Sequence, residues 1–285
     1  MFPFRTALNA STLFPFTRDP ERHIAIAGEA GYEGVELWVG DIQLYLSRGG
    51  STERLRAAAE EAGVELVNAI AFFPWADADA DVRLRGLRQA EEEMRLLAEL
   101  GCRAVAAPPF GDVATMTAER FADAYAALCE LGQRLGVEPL LEFWGRAKRL
   151  ATLREAVDVL NVLETRGGES GFGRKLLLDP FHMYTGGSPF ESLGELDGPR
   201  IGLFHVNDYP ASPPRESIGD DARVFPGEGV APTSRIAELL YASGYRGYLS
   251  LELFRDSYGD RNAAEVAADG LRDVKRAYAI RQPEQ

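Results

Sequence analysis

The stretch PLLEF at residues 139–143 is apolar except for one acidic residue, Glu142, close to its carboxyl end. Three later stretches follow the same plan: KLLLD at 175–179, IGLFHV at 201–206 and YLSLEL at 248–253. Strands that are covered on both faces are almost uniformly apolar, as in the interior of a parallel sheet. We therefore expect buried parallel strands that each carry a polar residue near the same end.

Similar short apolar stretches alternate with longer amphipathic segments along the whole chain, which is the pattern of β/α units around a parallel sheet. The predicted strands are Arg5–Ala10, Gly34–Trp38, Val64–Ile70, Arg103–Ala107, Pro139–Phe143, Lys175–Asp179, Ile201–Val206 and Tyr248–Leu253. The predicted helices are Pro20–Ala30, Thr52–Ala62, Val82–Leu100, Ala118–Leu135, Leu153–Glu164, Ser188–Glu195, Pro232–Ala242 and Ala263–Ala279. Strict alternation in 285 residues favours an α/β fold of the closed (β/α)8 TIM barrel type.

No low-complexity segment or domain boundary interrupts this pattern, so we expect residues 1–285 to form a single domain. The first predicted strand is not followed by Gly-x-Gly-x-x-Gly, which disfavours a dinucleotide-binding fold. One long irregular segment, residues 207–229, follows the seventh strand. Long loops in compact domains are usually functional, and in a barrel this loop leaves the catalytic face.

Composition narrows the class of protein. The formal net charge of −13 disfavours nucleic-acid binding, which needs a positive field. No apolar run is long enough to cross a membrane, and the amino terminus lacks the pattern of an export signal, so we expect a cytoplasmic protein. Two cysteines, Cys102 and Cys129, lie in apolar stretches and are expected to be buried, reduced thiols.

The four polar strand-end residues are Glu142, Asp179, His205 and Glu252. A carboxylate inside an apolar strand is costly to bury unless it is paired or bound to a metal. One such residue alone could pair with an arginine, but four at the same height of a barrel indicate a common site. Three carboxylates and one imidazole suit one divalent ion, Mn, Zn, Co or Mg.

Further candidates surround this predicted site. His182 follows Asp179 by three residues and could donate to a substrate oxygen at the rim, or bond to backbone as an ordinary loop histidine. Trp144 is one of five aromatic residues that could form the wall of a sugar pocket or simply pack in the core. The other aromatic candidates are Trp38, Phe72, Phe73 and Trp75. Weaker candidates for hydrogen bonds to the metal ligands are Asn9, Glu36, Asp208 and Glu228.

Five segments in chain order resemble those of the xylose-isomerase-like TIM barrels, the sugar phosphate isomerase/epimerase superfamily. They are LNAST at 8–12, LEFWG at 141–145, LDPFH at 178–182, DARVFPGEG at 221–229 and SLELFR at 250–255. The resemblance covers essentially the whole chain and is greatest to the inosose (2-keto-myo-inositol) isomerase branch. The departures are an Asp-Pro step at residues 179–180, where a small residue is common, and Phe225, in a place that another aromatic residue often holds.

The resemblance implies roles for individual residues. It carries the family's metal ligands onto Glu142, Asp179, His205 and Glu252, and makes either Glu142 or Glu252 the base. It also places His182 and Arg223 against substrate hydroxyl and carbonyl groups, whereas composition alone allows Arg223 to be an ordinary surface arginine.

The expected activity is a divalent-metal-dependent isomerase or epimerase that acts on a small keto-polyol or ketose, best 2-keto-myo-inositol, by proton transfer through an enediolate. A metal-dependent dehydratase of a keto-cyclitol or a dehydroshikimate-like substrate could use the same site. Hydride transfer is disfavoured because no lysine lies at the carboxyl end of a predicted strand. A non-catalytic sugar-binding barrel is the remaining alternative, and a homo-oligomer is compatible with each of these activities.

Overall fold

The computed structural model describes residues 1–166 and 172–280. Within these residues, eight parallel strands follow one another in chain order and close through pairing of the first with the eighth. The strands are β1 (Arg5–Asn9), β2 (Gly34–Trp38), β3 (Glu65–Ile70), β4 (Ala104–Ala107), β5 (Glu138–Glu142), β6 (Leu176–Leu178), β7 (Ile201–Val206) and β8 (Tyr248–Leu251). The predicted (β/α)8 TIM barrel is confirmed, while the extent of a single domain over residues 1–285 stays a prediction.

The helices surround the barrel. They are α1 (Pro20–Ala30), α2 (Val39–Ser47), α3 (Thr52–Ala62), α4 (Ala80–Leu100), α5 (Ala118–Leu135), α6 (Leu153–Thr165), α7 (Pro180–Gly186), α8 (Thr233–Ala242) and α9 (Ala263–Ala277). Their ends follow local chemistry. Thr152 and Glu155 form a reciprocal capping box at the start of α6. Gly101 ends α4 at a φ of +80°, in the left-handed region that favours glycine.

Two α-helices among the described residues were not predicted, and one predicted helix was wrong in type. Helix α2 follows β2 directly and begins with Val39 and Gly40, two poor helix formers. No side chain caps its start, so neither its composition nor a capping residue indicates a helix in the sequence. Helix α7 does carry a signal, because Asp179 caps it and Pro180 occupies its first turn. The helix expected at Ser188–Glu195 is a 3-10 helix over Phe190–Glu195.

Alternate residues of strands β3 to β7 face two different cores. Ile70, Ala106, Leu140, Leu177 and Leu203 pack together inside the barrel. Their neighbours along the same strands join the larger core between barrel and helices. The barrel is therefore filled by side chains below the ends of its strands, and an open site can form only at its mouth.

The predicted buried thiols are confirmed. Cys102 and Cys129 are free and buried, and burial raises the pKa of each thiol to about 12. Of the helices within residues 1–166 and 172–280, none is sufficiently long and apolar to span a membrane.

Candidate metal centre

Asp179, His205 and Glu252 meet at the carboxyl end of the barrel. Each offers one ligand atom, and these three atoms lie within 4.8 Å of one another. Asp179 directly follows β6, His205 lies in β7 and Glu252 directly follows β8, so adjacent strands bring them together. All three are buried. An oxygen–nitrogen–oxygen set of this kind suits a divalent cation.

Glu142, the fourth predicted ligand, ends β5 and lines the same pocket, but it is not part of this compact group of three. Its carboxylate Oε1 lies 3.8 Å from His182 Nε2. Burial raises the pKa of Glu142 to about 8. His205 acts to lower this pKa, whereas the negative charges of Glu252 and Asp179 raise it further. Its role as a metal ligand stays a prediction.

His205 presents its two ring nitrogens to different partners. Nε2 lies 3.1 Å from a carboxylate oxygen of Glu36. Nδ1 lies 3.2 Å from Glu252 Oε2 and 3.5 Å from Asp179 Oδ2, yet it has no hydrogen-bond partner of acceptable geometry. A buried ring nitrogen left without a hydrogen bond and facing two carboxylates fits a metal ligand. The residues present therefore fit a divalent ion.

Arg223 is buried, so the alternative of a surface arginine is wrong. Its Nη1 donates to Asp179 Oδ2 at 2.8 Å and to Glu252 Oε2 at 2.7 Å, and its Nη2 donates to Asp220. Burial alone would raise the pKa of Asp179, but the Arg223 guanidinium and neighbouring histidines hold it well below its ordinary value. The guanidinium thus keeps this carboxyl ionised and available as a ligand.

His182 lies in the first turn of α7, not in a loop. The Asp179 cap places it there, since Asp179 Oδ1 accepts from the backbone N–H groups of Phe181 at 2.7 Å and His182 at 3.3 Å. Burial lowers the pKa of its imidazole. His182 lines the pocket together with Arg223, as expected, and its contact with substrate stays a prediction.

The pocket above these residues has a volume of about 950 Å³. Trp38, Phe72 and Trp144 line it. The ring centroid of Phe72 lies 5.4 Å from that of Trp38 and 6.1 Å from that of Trp144. Phe110 and Phe254 extend the same wall and were not predicted. The other two predicted wall residues, Phe73 and Trp75, are buried in the outer core instead.

The weaker candidates divide in two. Asn9 Nδ2 donates to Glu252 at 3.1 Å and to Glu36 at 3.2 Å. The candidates Asn9 and Glu36 therefore both belong to the hydrogen-bond network under the site. Asp208 instead accepts from backbone N–H groups of its own loop, and Glu228 is exposed. Asn207, which donates to both oxygens of Asp179, was missed. Its position directly after β7 was the available signal.

Comparisons with known proteins find a matching family and several similar proteins. The model of a family described as xylose isomerase-like TIM barrel matches residues 24–277. The 3-dehydroshikimate dehydratase of Pseudomonas aeruginosa is 31% identical in an alignment of 275 residues that covers 90% of this chain and 39% of that protein. The inosose isomerase of Bacillus velezensis is 29% identical over 212 residues, 70% of either chain.

The crystal structure of the IolI protein with a bound zinc atom has a TM-score of 0.85 at 22% identity, covering 96% of this chain and 98% of that one. The relative from Pseudomonas is much longer, so this chain spans about two fifths of its length. The family match covers most of the chain and agrees with the closed barrel described above. The chain therefore belongs to the xylose isomerase-like TIM barrel family.

Proposed function

We propose that this chain is a divalent-metal-dependent isomerase or epimerase of a keto-polyol or ketose, with 2-keto-myo-inositol as the first candidate substrate. The observation that carries the proposal is the buried group of Asp179, His205 and Glu252 beside an aromatic-lined pocket. The inosose isomerase relative supports the substrate class. The bound zinc of the IolI structure supports a metal, which we propose is Mn, Zn, Co or Mg here.

Asp179, His205 and Glu252 would hold the ion, together with Glu142. When bound, a divalent cation supplies positive charge that acidifies the C–H bond beside a substrate carbonyl. Arg223 and His182 line the pocket as hydrogen-bond donors for substrate oxygens. The aromatic wall packs against the C–H faces of the sugar and limits the access of water.

Proton transfer is assigned to the two glutamates, because both Glu142 and Glu252 line the pocket. One removes the proton from the carbon beside the carbonyl, and the other returns a proton to the neighbouring carbon or to the opposite face. The position of return decides between isomerisation and epimerisation. Glu252 is held by Asn9 and Arg223, whereas Glu142 faces His182.

A second candidate is dehydration of a dehydroshikimate-like substrate. The similarity to 3-dehydroshikimate dehydratase extends over 90% of this chain and specifically favours it. Removal of the same type of proton, followed by loss of a hydroxyl group from the β-position, would use the same residues. Dehydration differs in its product, because a new conjugated double bond absorbs in the ultraviolet.

The test is proton exchange in deuterated water, followed by NMR, with 2-keto-myo-inositol, a panel of ketohexoses and 3-dehydroshikimate. We expect metal-dependent incorporation of deuterium, together with an isomeric ketone. Glu142→Gln and Glu252→Gln should each slow exchange by a factor of about 100 or more, the usual contribution of a general base. Glu138→Gln is the matched control, since Glu138 begins β5 at the opposite end of the barrel.

Two results would contradict the isomerase proposal. Conversion of 3-dehydroshikimate to an ultraviolet-absorbing product, without exchange on the ketoses, would favour the dehydratase. Metal binding without exchange on any substrate of the panel would instead favour a sugar-binding barrel.

A further inference from the structure

Glu36 is a carboxylate inside the barrel. It lies in β2 with its side chain fully buried. Burying a carboxylate is costly unless donors surround it. An acidic residue in this position therefore calls for a specific reason.

Both oxygens of Glu36 accept hydrogen bonds. Asn68 Nδ2 donates to Oε1 at 2.8 Å, Asn9 Nδ2 donates to Oε2 at 3.2 Å, and the Ser250 hydroxyl also donates to Oε2. The amide of Asn9 is fixed in this orientation, because its Oδ1 accepts from Ser11 N and from Trp38 Nε1, each at 3.0 Å. With amide donors on both oxygens, Glu36 is left as an acceptor only.

The remaining neighbour of Glu36 is His205, whose Nε2 lies 3.1 Å from Oε2 and 3.3 Å from Oε1. A ring nitrogen facing an acceptor must carry the proton, so Nε2 is the donor in this pair. Nδ1 faces two further carboxylates, those of Asp179 and Glu252, so in the metal-free protein it can carry a second proton. With a divalent ion bound among these groups, Nδ1 would offer its lone pair to the ion while Nε2 keeps its hydrogen.

We propose that Glu36 is the positioning residue of the metal centre: it holds His205 in the Nε2–H tautomer, with Nδ1 directed at the ion. Metal-binding histidines commonly donate their second N–H to a carboxylate, which fixes the ring and strengthens the ligand. Of the proposed ligands, Glu36 contacts His205 directly and is linked to Glu252 through the amide of Asn9. Asn9, Asn68 and Ser250 restrain Glu36 from β1, β3 and β8. This inference rests on the metal centre of the proposed function.

The first test is the affinity of metal-free protein for zinc and manganese, measured by competition with a chelator. Glu36→Gln keeps the size of the side chain but turns an N–H group toward one of the surrounding donors. We expect its dissociation constant to rise by a factor of about 10 to 100, the usual effect of losing such a partner. Glu93→Gln is the matched control: Glu93 is a buried glutamate on α4 that accepts from Gln89. Its metal affinity should equal that of the wild type.

The second test uses the wild-type protein and does not depend on whether Glu36→Gln folds. Nitrogen-15 NMR of histidine-labelled wild-type protein, with the His205 signals assigned by their loss in His205→Asn, reports which ring nitrogen carries the proton. With zinc added, we expect a proton on Nε2 and coordination at Nδ1.

The outcomes separate the two proposals. A wild-type protein that binds no divalent ion overturns the metal centre itself. A wild-type protein that binds the ion, with unchanged affinity in Glu36→Gln or with coordination through Nε2, overturns the role of Glu36 alone.

Discussion

Arg223 is a buried positive charge at the mouth of the barrel. Its guanidinium contacts the carboxylates of Asp179, Glu252 and Asp220 and lies 4.7 Å from the ring of Phe181 and 5.0 Å from that of Phe254. Two rings and three carboxylates leave this planar side chain little freedom. Removal of one partner from a buried ion pair is costly, because the other charge stays buried without compensation.

We expect Arg223→Met to lower the free energy of unfolding of the metal-free protein by about 3–5 kcal/mol, measured by urea denaturation. Arg235→Met is the control, because Arg235 is half exposed and pairs with Glu238 at 3.3 Å. Loss of such a surface pair should cost about 0–1 kcal/mol. Equal losses in the two variants would show that the buried pairs contribute no more than a surface pair.

Residues differ in how far their role could be predicted from sequence. Asp179 and Glu252 stand out because a charge in an apolar strand is rare and expensive. Glu36 carries the same signal in GVELW at residues 34–38, in the middle of its strand, and was predicted only as a weaker candidate. Only the barrel's closure brings it next to His205, 169 residues away.

At the scale of elements, the loop between β7 and α8 forms part of the site. Asp208, at its start, organises it, because Oδ1 accepts from the backbone N–H of Tyr209 and Ala231 and Oδ2 accepts from those of Gly227 and Gly229. From the opposite side, the Arg146 guanidinium donates to the backbone carbonyls of residues 215, 216 and 218. These hydrogen bonds hold the loop that carries Arg223 in its conformation.

We expect Asp208→Asn to open this loop, since the new amide turns an N–H group toward two backbone donors. Hydrogen bonds to a charged acceptor are worth about 1.5–3 kcal/mol each, so amide hydrogen exchange at residues 227–231 should accelerate by a factor of about 10 to 100. Mass spectrometry measures this exchange. Asp221→Asn, at an exposed position of the same loop, serves as control. Unchanged exchange at residues 227–231 would exclude this role of Asp208.

At the scale of the whole molecule, the candidate metal centre joins strands from both ends of the chain. Its ligands follow or lie in β6, β7 and β8, and Asn9 of β1 contacts one of them. Three buried acidic side chains at this end of the barrel, Glu142, Asp179 and Glu252, repel one another unless positive charge balances them. An ion bound there would stabilise the closed barrel, because the unfolded chain does not bring these ligands together.

We expect a divalent ion at about 100 times its dissociation constant to raise the free energy of unfolding by about 2.7 kcal/mol. Urea denaturation with zinc or manganese, and with a chelator, measures this difference. Asp179→Asn should lose most of the gain while remaining folded. A gain of the same size in Asp179→Asn would mean that the ion binds at another site.

The sequence by itself determined the strands, most helices and the class of barrel, because these depend on local periodicity and on the punctuation of helix ends. It also determined which strand ends carry charge, since an acidic residue in an apolar strand is visible without any partner. Tertiary structure alone decided what surrounds each of them. The burial of Arg223, the pairing of Glu36 with His205 and the separation of Phe73 and Trp75 from the pocket depend on which side chains meet across the closed sheet, and the pattern of a single strand does not contain that information.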